Sequence, residues 1–251
     1  MNRIRVIPCL LLKNNGLVKT KEFKDPIYVG DPINAVKIFN DKEADELLFI
    51  DIDASRSEKG PDYELLDRII KEAFMPFGYG GGIKTLDNIR KLLHMGIEKI
   101  CINSIIVKDP DFVAKASEIS GSQSIVVSID VKKDVLGRNK VYDYLTKKTT
   151  NLEPVEFAKL LEKKGAGEIL LTAVDREGTY KGYDLDLIKL VSNAVNIPVI
   201  ALGGASKADD FKDAIKAGAS AVSAGSLFVF YGKLKAVLIN YPLEKLNKEG
   251  E

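Results

Sequence analysis

The sequence is poor in the side chains that usually announce chemistry. Its 251 residues include one histidine, His94, which closes a helical pattern, "IRKLLHMGIEK", where the helix C-terminal dipole accounts for it. Acid–base work must therefore fall to carboxylates, lysines or tyrosines. The two cysteines, Cys9 and Cys101, lie in apolar strand-like runs, which speaks against a disulfide or a zinc site and predicts buried free thiols. No motif calls for a metal or a cofactor. Net charge is nearly absent, 37 basic residues against 36 acidic, so no overall field draws the chain to nucleic acid or anionic lipid. The longest apolar runs, around "VIPCLLL" and "SAVSAGSLFVF", fall short of the roughly 20 residues that span a bilayer, and the start has no signal-peptide architecture. A cytoplasmic protein with small or locally recognised partners and no membrane contact is expected.

What the sequence does have is alternation. Short β-branched runs predict strands over Ile4–Leu12, Leu47–Asp53, Pro76–Gly80, Lys99–Asn103, Ile125–Val131, Glu168–Ala173, Pro198–Leu202 and Ala221–Ala224. Helical periodicity follows them, as in "YELLDRIIKEA" and "PVEFAKLLEKKG". Eight such alternations in this length predict an α/β fold, a single parallel (β/α)8 TIM barrel over residues 1–251. The chain also repeats itself. "PFGYGGGIKTLDNIRKLLHMGIEKICINS" and "PVIALGGASKADDFKDAIKAGASAVSAGS" align without a gap at an offset of 122, which pairs Pro76 with Pro198 and Gly96 with Gly218. The same offset carries Pro32 onto Pro154, Glu46 onto Glu168 and Asp53 onto Asp175. Two related half-barrels are expected, about 1–121 and 122–251.

Glycine-rich turns after strands let backbone N–H groups approach an anion. "GYGGGI" and "INSI" supply Gly81, Gly82, Asn103 and Ser104 after strands three and four. "LGGAS" and "SAGS" supply Gly203, Gly204, Gly225 and Ser226 after strands seven and eight. Glycines at turns often serve backbone geometry alone, but their duplication at equivalent positions favours two phosphate cradles on opposite sides of one mouth. A bis-phosphate small molecule is the expected ligand. Lys19, in the long first loop "KNNGLVKTKEFKDPIYVGDP", is expected as a mobile positive charge over the mouth or as a solvated lysine.

These segments, with "RVIPCL", "ADELLFIDI", "SIVVSID" and "GAGEILLTAVDREGTYKGYDLDL", resemble the cyclase subunit of imidazole glycerol phosphate synthase over essentially the whole chain. The resemblance implies a subunit that docks on a glutaminase at the strand-start face and passes ammonia up the barrel. At the top, ammonia reacts with a ribulosyl-formimino aminoimidazole carboxamide ribonucleotide. It also implies two facing aspartates at the tips of strands one and five. Asp130 matches one, whereas the other position holds Leu11, which can neither give nor take a proton. Asp51 and Thr172 fit polar positions beside the ligand, and Glu177 stands where the family generally has aspartate. Arg5, Glu46, Lys99 and Glu168 match all four members of the ring that guards the ammonia entrance.

The expectation is therefore a paralogue that still conducts ammonia, supplying an amidotransferase that makes acetamidino groups on surface sugars. An active histidine-pathway cyclase is the alternative, with Asp51, Asp53 or Glu177 making good the missing acid. A phosphosugar isomerase on the same fold is the third, and it has no use for an ammonia entrance.

Overall fold

A computed structural model describes residues 4–57, 60–232 and 234–241; the first and last residues of the expected 1–251 span lie outside these. Eight parallel strands close on themselves: β1 (Arg5–Lys13), β2 (Leu47–Asp51), β3 (Phe77–Gly80), β4 (Lys99–Ile102), β5 (Ile125–Lys133), β6 (Glu168–Ala173), β7 (Val199–Leu202) and β8 (Ala221–Ala224). Each pairs with the next, and β8 returns to β1, Arg5 opposite Ala221. Among the described residues, the helices of eight residues or more that run outside between them are α1 (Pro32–Asp41), α2 (Tyr63–Ile70), α3 (Leu86–His94), α4 (Asp111–Ser120), α5 (Pro154–Lys163), α6 (Leu185–Ser192) and α7 (Asp209–Lys216). The fold is the (β/α)8 barrel.

Strand alternation builds two cores. Val6, Leu10 and Leu12 of β1 point outward and join Phe49, Phe77, Phe211 and Phe228 beneath the helices. Ile7 and Cys9 point inward and meet Leu48, Cys101, Val126, Leu170, Ile200 and Ala221 in the barrel interior. Each fully buried aliphatic or aromatic side chain contributes about 1.5–3 kcal/mol. On β3 the inward positions are Gly78 and Gly80, because a Cβ on Gly80 would stand 2.8 Å from the Cys101 carbonyl oxygen.

The sequence repeat recurs in the contacts. Asp62 caps α2 by accepting from Leu65 N at 3.0 Å, and Asp184, its partner in the repeat, caps α6 by accepting from Leu187 N at 3.1 Å. Gly81 and Gly203 have φ of +127° and +104°, and a Cβ on them would stand 2.5 Å from the Asp51 carbonyl oxygen and 2.7 Å from that of Ala173. Asp51 and Ala173 are themselves repeat partners.

Antiparallel extensions of the barrel strands were not anticipated. The long first loop is not structureless: Gly16–Lys21 pairs with β1, and Lys24–Gly30 pairs with Gly16–Lys21. The turns are Asn14–Asn15 and Glu22–Phe23, all four residues at positive φ. An asparagine pair before glycine is a strong turn signal, and the polar alternation around it masked the strands. A second extension, Asn139–Asp143, folds back on the end of β5.

Candidate functional site

The sequence-predicted residues fall at the two ends of the barrel. At the strand starts Arg5, Lys99 and Glu168 open β1, β4 and β6, and Glu46 precedes β2. Arg5 grips Glu168 with both terminal nitrogens, at 3.1 and 2.7 Å, and Lys99 donates to the same carboxylate at 2.9 Å and to the Gln123 carbonyl at 2.8 Å. Glu46 stands 3.9 Å from Arg5 Nε, too far for a hydrogen bond. The ring is thus asymmetric, with two cations converging on Glu168. Burial alone would raise Glu168, but the Arg5 guanidinium and Lys99 ammonium outweigh it and hold the carboxyl below its ordinary value. Burial raises Glu46, with Arg5 opposing.

At the strand ends the loops enclose a cavity of about 370 Å³. Leu11, Ile50, Leu170 and Leu202 make its apolar floor together with Cys9 and Cys101, and Asp130 and Thr172 project from adjacent strands opposite each other in register. Asp130 is 6% exposed and accepts from Asn103 Nδ2 at 2.9 Å. Burial pushes its carboxyl up to about 7, against the hydrogen bond from Asn103 and the nearby Thr172 and Ser128 hydroxyls. Burial also pushes the Cys9 thiol up to about 12, so it stays neutral. Gly81, Gly82 and Ser104 line the same cavity, with Lys84 and Lys108 beside them. Among the described residues no three His, Cys, Asp or Glu side chains cluster in a way that could hold a metal ion.

Residues 5–235 match the family described as histidine biosynthesis protein. The chain belongs to this family. It is 49% identical over 243 residues to a Pseudomonas aeruginosa protein provisionally named imidazole glycerol phosphate synthase subunit hisF2, covering 96% of this chain and 97% of that one. A Leptospira interrogans protein, also provisionally named as the HisF subunit, is 46% identical over 244 residues and 96% of each chain. The Hydrogenobaculum protein named imidazole glycerol phosphate synthase subunit HisF is 45% identical over 227 residues, 90% of each chain. These relatives place the chain within the cyclase-type branch of the histidine biosynthesis family.

Several predicted residues sit elsewhere than expected for this family member. Lys19 is neither mobile over the mouth nor solvated; it is 3% exposed and donates to the Cys9 carbonyl at 3.1 Å. Burial lowers its pKa, with the buried Glu177 carboxylate opposing. Neither Lys19 nor Glu177 lines the cavity, and neither do Gly203, Gly204, Gly225 and Ser226. Asp51 does, but its Oδ1 accepts from the Asp53 and Ala54 backbone N–H groups, each at 3.0 Å, which fixes the turn after β2. Asp53 makes a 3.8 Å ion pair with Lys13 outside the cavity. Asp51 is thus engaged by its own turn, and the buried Glu177 carboxylate, although outside the cavity lining, lies close enough to help push the Asp130 carboxyl up.

Sequence reasoning missed Thr20, Phe23 and Tyr144. Thr20 lines the cavity from the first hairpin. The Phe23 and Tyr144 rings meet edge-on at 5.8 Å, and the Arg56 guanidinium lies 4.2 Å over the Tyr144 ring, so three loops form one aromatic roof. Only a reading of the first loop as a hairpin would have put Thr20 and Phe23 over the mouth.

Proposed function

We propose that this chain accepts ammonia from a glutaminase docked at its strand-start face and conducts it through the barrel to an amidotransferase that makes acetamidino groups on surface sugars. The observation that carries the proposal is the combination of a complete ring at one end with Leu11 at the other. Two cations pair with Glu168 at the strand starts, where a docking partner could rearrange them to admit ammonia. Above the ring the interior is apolar, with Ile7, Leu48, Val126 and Ile200, and with thiols that burial keeps neutral. Such a lining favours uncharged ammonia over ammonium, because the cation would lose its hydration without a partner.

The mouth retains Asp130 as a proton carrier, poised near neutrality by burial, but Leu11 leaves it without a second acid–base group opposite. It would hold a phosphate ligand without turning it over. A histidine-pathway cyclase is the second reading, favoured by the names of the relatives and by that neutral-range Asp130.

Ammonium-dependent turnover of the ribulosyl-formimino ribonucleotide, followed by its absorbance, separates the two. The natural protein should give no turnover above background, and Leu11→Asp should restore some. Turnover by the natural protein at a rate that Leu11→Asp does not raise would establish the cyclase instead.

A further inference from the structure

Strand β5 runs three residues past Asp130, roughly 10 Å, and the chain then folds back as Asn139–Asp143, so the turn 134–138 stands at the rim of the strand-end mouth. This turn is rigid. The Asp134 carboxylate accepts from Leu136 N, Arg138 N and Arg138 Nε, each at 2.9 Å, and Asp134 N donates to the Arg138 carbonyl at 2.9 Å. What the turn holds out is apolar, since Val135 is wholly exposed and Leu136 is 71% exposed. The corresponding hairpin of the first half turns through Asn14–Asn15, between paired Lys13 and Gly16, without an apolar side chain, so the fold does not require one here. Two aliphatic side chains fixed in water on a rigid turn are preorganised for burial by a partner.

At the foot of the turn, between the hairpin and the loop after β6, lies a second cleft of about 210 Å³. Val131 and Ala173, which line it, point away from the barrel interior, so the strand wall separates this cleft from the mouth cavity. Its carboxylates are already committed. Asp184 caps α6 and lies 3.9 Å from Arg176 Nε, and Asp175 accepts from Lys133 N at 2.8 Å and lies 3.9 Å from Lys132 Nζ. Arg176 is fixed by donating to the Lys181 and Gly182 carbonyls at 3.1 and 3.2 Å. Lys133 and Lys181 are exposed, and among the described residues neither ammonium has an ion-pair or hydrogen-bond partner. In the first half Asp62 likewise caps α2 and Asp53 likewise pairs with Lys13, but Ala54 stands at the position of Arg176. The carboxylates thus serve the fold in both halves, and the cluster of cations belongs to the second half alone.

We propose that the Val135–Leu136 turn and the basic cleft beneath it form the docking surface for the amidotransferase that receives the ammonia, which offers an apolar pocket to the turn and carboxylates to Lys133 and Lys181. This inference rests on the proposed delivery of ammonia and adds where the recipient binds. Position favours that occupant, because the surface lies at the end where the path leaves the barrel and the glutaminase is assigned to the opposite end. Charge disfavours a second copy of the chain, because an isologous contact would set the same unpaired cations of both copies into one interface. An acidic recipient instead gains charge complementarity there.

The test combines this chain with the glutaminase and the acetamidino-forming amidotransferase of the same organism. Two double variants are compared with the natural chain, one carrying Val135→Ser with Leu136→Ser and the other Lys133→Glu with Lys181→Glu. Each should bind the amidotransferase about tenfold more weakly and lower glutamine-driven product formation, while stimulating glutamine hydrolysis as the natural chain does. The complex of the natural chain should also weaken as salt rises. Equal binding by the natural chain and both variants would overturn this surface and leave ammonia delivery standing. A salt-insensitive complex lost only with the serine pair would overturn the role of the cleft. A natural chain that binds the glutaminase but neither binds the amidotransferase nor supplies it with ammonia would overturn the delivery reading, and this inference with it. Self-association of the natural chain that both variants abolish would assign the surface to a second copy instead.

Discussion

Asp130 is a carboxylic acid whose titration is moved by burial into the neutral range, and this gives it a signature in stability. Its folded pKa of about 7 stands above the 3.8 of an ordinary aspartate. The native chain thus keeps a proton that the unfolded chain has lost, and stability falls as pH rises from about 4 to about 7. Asp130→Asn cannot ionise. Thermal melts should show it gaining on the natural protein as pH rises through that window, by at most about 4 kcal/mol at pH 8, with the difference gone near pH 4. A gap independent of pH would mean that Asp130 titrates like an exposed carboxyl. Asp130 and Leu11 were both legible as strand tips, because hydrophobic alternation fixes which side of a strand faces the barrel. The burial of Lys19 was not legible, since a lysine in a polar loop reads as solvated until its loop is known to lie across a mouth.

At the scale of elements, the barrel strands were readable because each is a compact apolar run, and their ends differ from expectation by no more than a residue or two. The hairpin Gly16–Lys21 with Lys24–Gly30 was hidden because its second strand, exposed from Lys24 to Tyr28, opens with charged residues and a proline before the short Ile27–Val29 run. The glycine turns were read as anion cradles, yet each also has a backbone reason to be glycine. Gly204, at φ +100°, would put a Cβ 2.2 Å from the Gly182 carbonyl oxygen, and Gly182 N donates to the Gly204 carbonyl at 2.8 Å. Gly137 has φ +76° with open space around it. Urea unfolding should therefore show Gly137→Ala losing about 1 kcal/mol from φ strain alone, and Gly204→Ala losing at least about 2 kcal/mol more from the collision. Similar losses at the two sites would mean that the turn around Gly204 relaxes without cost and that its glycine serves a ligand.

At the scale of the molecule the two ends of the barrel have different chemistry. One end carries the ring, where Arg5 and Lys99 close on Glu168 and leave Glu46 more loosely held. The other end carries a roofed cavity in which Asp51 is tied to its own turn and Asp130 stands beside an apolar floor. Between them lies an uncharged interior. The family was legible in the order and spacing of the motifs, because they sit at strand tips and strand starts that the barrel holds at fixed positions. The placing of Thr20 and Phe23 at the cavity by the first hairpin depends on long-range pairing that no local pattern encodes. An end-to-end path for ammonia is tested most directly by glutamine hydrolysis. The glutaminase of the same organism's synthase would be assayed alone, with this chain, and with Glu168→Gln. Formation of a complex in which the natural chain raises hydrolysis and Glu168→Gln largely loses that effect is the result the proposed ammonia delivery predicts. No complex and no change in hydrolysis would contradict it.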